Sequence, residues 1–330
     1  MTAGRDEAKG TAGPRPGGAT GVTSESGDRA AARPHRTGFA CFVGRPNVGK
    51  STLMNALVGT KVAITSEKPQ TTRRAIRGIV HRPDAQLVIV DTPGLHRPRT
   101  LLGERLDSLV LSTLTEVDVI AFCVPANERV GKGDRFIAEK LASVRKTPVV
   151  AVVTKCDLAN KKQIAEQLLT VSKLADFEDI VPVSALTNDQ LDILTDVLTK
   201  HLPEGPPLYL EGEQTDEPEQ VLVGELIREA ALEGVRDELP HSIAVVVDEM
   251  LPRPGRDDLL DIYAVMYVER PSQKAIVIGQ KGERLKQVGM KARRQIEALL
   301  GTRVYLDLHV KVAKDWQRDP KQLRRLGFYD

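Results

Sequence analysis

The run Gly44-Arg45-Pro46-Asn47-Val48-Gly49-Lys50-Ser51, followed by Thr52, fits the pattern G-x-x-x-x-G-K-[ST]. It follows the apolar run Phe39–Val43 and opens the helix-like stretch Ser51–Val58, the strand-loop-helix setting that a phosphate-binding loop requires. Gly44 and Gly49 allow the chain to curl until successive N–H groups share one concavity, and the helix N-terminus adds partial positive charge. Lys50 then reaches β- and γ-phosphates and Ser51 ligates Mg2+. This is chemistry for a nucleoside triphosphate. Downstream, Asp91-Thr92-Pro93-Gly94 ends the apolar run Leu87–Val90, where Asp91 can hold Mg2+ through water and the Gly94 N–H can face the γ-phosphate.

Two further strand ends carry base-recognition chemistry. Thr154-Lys155-Cys156-Asp157 follows Val149–Val153, and Ser184-Ala185 follows Ile180–Val183. The Asp157 carboxylate can accept from guanine N1–H and N2–H2 together, a donor pair that adenine lacks, so the base is read as guanine. The Lys155 stem can lie along the base plane, and the backbone N–H near Ala185 can donate to guanine O6.

These residues need a scaffold, and the pattern supplies one. Between 38 and 205, apolar runs at 39–43, 75–80, 86–90, 118–124, 148–153 and 180–183 alternate with helix-like stretches at 50–58, 101–115, 134–145, 160–174 and 188–201. That alternation predicts a doubly wound, mostly parallel α/β sheet covered on both faces. Residues 206–220 are rich in proline and acid and read as a linker. From 221 to 330 the order is helix (221–238), strand (242–250), strand (259–269), helix (271–278), a Gly-x-x-Gly turn, helix (283–300) and strand (303–312), a small α+β domain.

The net charge of +2 averages opposed segments. Residues 204–269 hold 17 acidic and 4 basic side chains, whereas 270–330 hold 15 basic and 6 acidic. The basic end suits a polyanion. No apolar stretch is long enough to span a membrane, and no basic-then-apolar start marks a secretory signal. Cys41, Cys123 and Cys156 sit in or beside apolar runs and read as buried thiols in a reducing compartment. Residues 1–37 have almost nothing to bury and are expected to be a disordered tail.

The nucleotide motifs resemble the P-loop GTPases of translation-factor type, and Gln70-Thr71-Thr72-Arg73 resembles their first switch. The likeness implies that Thr72, or else Thr71, joins Ser51 and Asp91 on Mg2+ when the γ-phosphate is present. It nominates Lys50, Thr72, Gly94 and Asn47 for catalysis. Thr154 stands where relatives carry Asn, and lacking an amide to brace neighbouring loops it is expected to weaken guanine binding somewhat. Leu95 stands where Ras-like enzymes place a water-orienting glutamine, so hydrolysis should be slow or use another element. Asn47 is similar to the asparagine that helps hold K+ beside the phosphates in relatives with this replacement.

In the second domain, Val277-Ile278-Gly279-Gln280-Lys281-Gly282 resembles the K homology (KH) module, whose G-x-x-G loop clamps a nucleic-acid backbone against an apolar groove. Lys281, Arg284, Lys286, Lys291, Arg293 and Arg294 surround it, and the αββααβ order is similar to the type II version. A GTPase domain followed by this module resembles the Era family of bacterial ribosome-assembly GTPases. Further pieces are Lys68-Pro69-Gln70-Thr71-Thr72-Arg73, Glu238-Leu239-Pro240, Val268-Glu269-Arg270 and Lys311-Val312 with Trp316. The resemblance implies GTP and GDP as ligands, binding near the 3′ end of 16S rRNA, and a role in maturing the 30S subunit. It also implies a cytoplasmic monomer found partly at the inner membrane surface. The competing expectations are a membrane-surface GTPase, for which Leu323, Leu326 and Phe328 would supply an apolar edge, and a regulator whose module serves only protein contacts.

Overall fold

The structure is a computed structural model, and it describes residues 34–328 apart from 67, 69, 70, 96, 97, 99, 145 and 236–238. Most of the expected tail, together with Gln70 and Glu238, lies outside the described residues.

The first sheet comprises β1 (Arg36–Val43), β2 (Ile76–Arg82), β3 (Ala85–Asp91), β4 (Val119–Pro125), β5 (Val149–Thr154) and β6 (Asp179–Pro182), in the order β2-β3-β1-β4-β5-β6. Neighbours run parallel except the edge pair β2 and β3. Every residue of β3 and β4 is buried, because helices cover both faces and leave no side of the strand for polar residues. Ala40 and Phe42 of β1 pack with α1 (Lys50–Val58) and α5 (Leu191–Thr199). The alternate residues Cys41 and Val43 pack with α2 (Leu101–Glu116), α3 (Lys132–Ala142) and α4 (Lys161–Val171). Strand order reverses at β1, so the loop after it opens into the crevice where α/β sheets bind ligands.

The tail boundary differs from the sequence reading. Arg36 and Thr37, assigned to the tail, already pair with Ala85 and Gln86, because a ladder needs only backbone groups. The linker is strapped down: the Gln86 carboxamide accepts from the Leu208 and Tyr209 N–H groups at 2.7 and 3.0 Å, and Ile79 N–H donates to the Gln214 carbonyl at 2.9 Å. This segment covers part of the β2 edge.

The remainder comprises α6 (Glu219–Leu232), α7 (Leu239–Ser242), β7 (Ala244–Arg253), β8 (Arg256–Val268), α8 (Pro271–Ile278), α9 (Glu283–Leu300), β9 (Arg303–Val312) and α10 (Pro320–Arg325). Its sheet runs β7-β8-β9, antiparallel then parallel. The helix expected over 221–238 stops at Leu232, where the chain leaves the helix toward Gly234 at φ 67°. Leu323 of α10 and Leu326 at its end are buried with Trp316 against Leu102 and Leu106 of α2. They therefore offer no apolar edge to a bilayer. Among the described residues no helix is long and apolar enough to cross a membrane, and all three cysteines are free and buried.

Candidate functional site

A cavity of about 780 Å³ opens at the carboxyl ends of β1 and β5, with Asn47, Gly49, Lys50, Ser51, Thr52, Thr72 and Gly94 among its walls. Lys50 Nζ spans the loop, donating to the carbonyls of Arg45 at 3.1 Å and Gly44 at 3.3 Å. Burial pushes the Lys50 ammonium down and the Asp91 carboxyl up from their ordinary values, each opposed by the other's charge. Ser51 Oγ donates to Asp91 Oδ2 at 2.5 Å and lies 3.0 Å from Thr72 Oγ1, which is itself 3.3 Å from Asp91 Oδ2. Asp91 is fully buried, and its Oδ1 has no hydrogen-bond partner in the structure. A buried carboxylate oxygen without a donor is costly, and beside two hydroxyls it forms an all-oxygen set of the kind Mg2+ prefers. The residues present fit that ion.

Gly94 meets the phosphate loop so closely that a Cβ there would sit 2.6 Å from Pro46 N and 2.8 Å from Pro46 Cα. Leu95 N–H donates to the Gly44 carbonyl at 3.2 Å, yet its side chain is buried in the core rather than in the cavity. Thr92 Oγ1 donates to the Phe42 carbonyl at 2.8 Å, and Pro93 is buried, so these two shape the turn. Three nominated side chains point elsewhere. Arg45 pairs with Asp134 at 2.7 Å and Glu128 at 3.0 Å, Val48 joins the core, and Cys156 Sγ donates to the Val153 carbonyl. Only their backbone can serve a nucleotide.

On the base side, Thr154, Lys155, Asp157 and Ala185 line the same cavity, with Leu158 and Leu186. Lys155 adopts a left-handed conformation at φ 57°, and its Nζ donates to the Asn47 carbonyl at 2.6 Å, which draws the stem across the cavity. Ser184 Oγ donates to Asp157 Oδ1 at 2.6 Å, fixing the carboxylate. Thr154 corrects the sequence reading: its buried hydroxyl donates to the Val48 carbonyl at 2.6 Å and so does brace the phosphate loop.

The remaining wall was not anticipated. Glu229, Leu232, Glu233 and Gly234, from α6 and the turn after it, line the cavity together with Ile64, Thr65, Ser66 and Lys68. The buried Glu229 carboxylate accepts from Thr65 N–H at 2.9 Å and Gln295 Nε2 at 2.8 Å, and pairs with Lys61. A charged residue on a helix interrupts an apolar stripe, which is the only local signal these positions carry.

The Gly-x-x-Gly turn joins α8 to α9. Gly279 (φ 74°) is compulsory, since a Cβ there would lie 2.7 Å from Arg284 Cβ, whereas a Cβ on Gly282 (φ 81°) would meet open space. Gly282, Lys286, Met290 and Arg293 line a groove of about 470 Å³ against Tyr305, Leu306, Asp307 and Leu308 of β9. Gln280 and Lys281 are exposed at the turn, and Arg294 is exposed outside the groove lining. Arg284 and Lys291 do not face it. Arg284 donates to the Glu233 carbonyl at 2.7 Å and Lys291 pairs with the Glu233 carboxylate, because α9 packs that side against α6.

Comparison with known proteins matches residues 39–155 to the 50S ribosome-binding GTPase family and residues 238–317 to the KH domain. Over 315 residues the chain is 69% identical to GTPase Era of Streptomyces coelicolor, covering 93% of this chain and 99% of that one. The chain belongs to the Era family of GTPases. GTPase Era of a Nocardioides species is 65% identical, covering 89% of this chain and 96% of its own. Among solved structures, Era in complex with MgGDPNP and nucleotides 1506–1542 of 16S ribosomal RNA superposes with a TM-score of 0.86 at 39% identity, covering 90% of this chain and all of that one. An Aquifex aeolicus Era variant bound to GDP and AlF4− gives 0.86 and 39%, covering 89% of this chain.

For this Era-family member the enzyme class is GTP hydrolysis, carried by a P-loop sheet domain and followed by a KH domain. Its phosphate loop, its metal-type oxygens and the turns at Thr154–Asp157 and Ser184–Ala185 come from successive strand ends, while part of the cavity lining comes from the KH side.

Proposed function

We propose that the protein is a GTP-driven switch that grips the 3′ region of small-subunit rRNA and assists maturation of the 30S subunit. What supports this reading is that one segment serves both sites. Glu233 lines the nucleotide cavity while its carbonyl and carboxylate hold Arg284 and Lys291 beside the Gly-x-x-Gly turn. The solved Era complex with MgGDPNP and 16S nucleotides supplies the RNA and the metal by analogy.

In the GTP state, Ser51, Thr72 and Asp91 would hold Mg2+, which would supply positive charge against the phosphates. Lys50 offsets the same charge, and the Gly94 N–H points to the γ-phosphate. Leu95 is in the core, so no side chain from that position orients water. Asn47, left-handed at φ 64° in the cavity lining, is the residue that would ligate K+, which would supply cationic charge to the transition state. Loss of the γ-phosphate frees Thr72 and Gly94, and the change reaches the KH groove through the contacts of α6 with Lys61, Thr65 and Thr71. Photocrosslinking in cell lysate supplemented with GDPNP or GDP, followed by sequencing of the attached RNA, tests the assignment. Fragments from the 3′ end of small-subunit rRNA are expected, enriched with GDPNP over GDP, and their absence would reject it.

A further inference from the structure

Thr72 sits between two residues that are both held by the KH domain. On one side, the guanidinium of Arg228 on α6 donates to the Thr71 carbonyl. On the other, Arg73 inserts into the KH side, donating to the carbonyls of Ile243 at 2.7 Å, His241 at 2.8 Å and Pro240 at 3.0 Å, with its guanidinium over the Trp316 ring at 5.8 Å. Upstream, Ile64 is buried in the KH core and Thr65 is tied to Glu229. Among the described residues of the G domain, the Thr72 side chain hydrogen-bonds to Ser51 and Asp91. The hydroxyl oxygen therefore stands where the KH domain puts it.

Arg228 is itself fixed. It is 2% exposed, and Glu225 one turn earlier receives its Nε at 2.9 Å and Nη2 at 2.5 Å. Burial alone would raise the Glu225 carboxyl, but the Arg228 guanidinium outweighs it and holds the group below its ordinary value. A planar fork held by a carboxylate along its Nε–Nη2 edge can aim the second Nη2 N–H at one carbonyl, which an ammonium cannot reproduce.

We propose that Arg228 is a positioning residue for GTP hydrolysis: from the KH domain, it holds the Thr71 carbonyl so that the Thr72 hydroxyl stays against Ser51 and Asp91. Arg228 does not touch the nucleotide cavity, and its effect runs through Thr72. This rests on the role given to Thr72 under the proposed function.

The test uses the full chain with Arg228→Met, Arg228→Lys and Thr72→Ala. Losing a charge-assisted bond that fixes a metal-ligating residue should lower kcat about 10-fold or more with Arg228→Met. GDP affinity should stay within about two-fold, and GDPNP affinity should fall toward it. Arg228→Lys should recover little. Hydrogen exchange on the nucleotide-free protein should quicken at Thr71–Arg74 while the α9 core stays protected. If Arg228→Met keeps kcat and GDPNP preference while Thr72→Ala loses them, the positioning role is wrong. If both variants keep them, the assignment of Thr72 fails first. Should Arg228→Met not fold, Arg228→Lys decides, since wild-type kcat in it refutes the need for a fork.

Discussion

Replacing Gly282 with Asp isolates the electrostatics of the RNA groove. A Cβ at Gly282 meets nothing within 4 Å, so the substitution adds no clash, whereas one at Gly279 drives into Arg284 at 2.7 Å. The backbone at φ 81° costs a non-glycine residue about 1 kcal/mol. Asn carries the same cost and nearly the same shape, so it is the control. A carboxylate about 4 Å from a phosphate at an effective dielectric of about 20–80 is repelled by about 1–4 kcal/mol. Taking about 2 kcal/mol as the middle, Gly282→Asp should weaken RNA binding about 30-fold relative to Gly282→Asn. Fluorescence anisotropy with a single-stranded RNA from the small-subunit 3′ end measures it. Raising salt should weaken wild-type binding through counterion release and shrink the Asp–Asn gap through screening. Equal affinities for Asp and Asn would show that no phosphate approaches Gly282, and the groove would lose its role as an RNA clamp.

Asp157→Asn should shift preference from GTP toward XTP, because the amide donates to the C2 carbonyl that xanthine carries; competition binding in which GTP still wins would reject the guanine contact. GTP turnover should be faster in K+ than in Na+ at equal ionic strength, with the difference abolished in Asn47→Ala, and equal rates in both salts would refute the cation role. Trp316 is fully buried, stacks on Phe328 at 5.8 Å and donates to the Ser242 carbonyl at 3.0 Å. Trp316→Ala should cost about 3–5 kcal/mol of stability and Trp316→Phe about 1 kcal/mol, read from urea unfolding; a loss under about 1 kcal/mol for Ala would mean that the C-terminal segment is not a fixed part of the fold.

The loop Gly44–Ser51, the turn Asp91–Gly94 and the strand ends at Thr154 and Ser184 were legible because their chemistry is local. A phosphate loop is built from consecutive backbone N–H groups, and short continuous apolar runs announce the strands, buried on both faces, that present it. Other residues were misread where a side chain answers to a distant partner. Arg45 lies in the motif but serves Asp134, and Thr154 lacks an amide yet finds the Val48 carbonyl. Arg284 and Lys291 carry the right charge beside the right turn, but helix phase turns them toward α6.

A P-loop sheet domain, a pair of strand ends suited to guanine and a KH order after them could be read along the chain, since each depends on residues near one another in it. Only the tertiary structure decided that Glu229 and Glu233 wall the nucleotide cavity, that Arg228 and Arg73 grip the residues flanking Thr72, and that Leu323, Leu326 and Trp316 lie against α2. Those contacts join positions more than a hundred residues apart, and no period or motif encodes which buried charge will meet which carbonyl. That pairing is set when two separately patterned surfaces close on each other and every buried donor must find an acceptor.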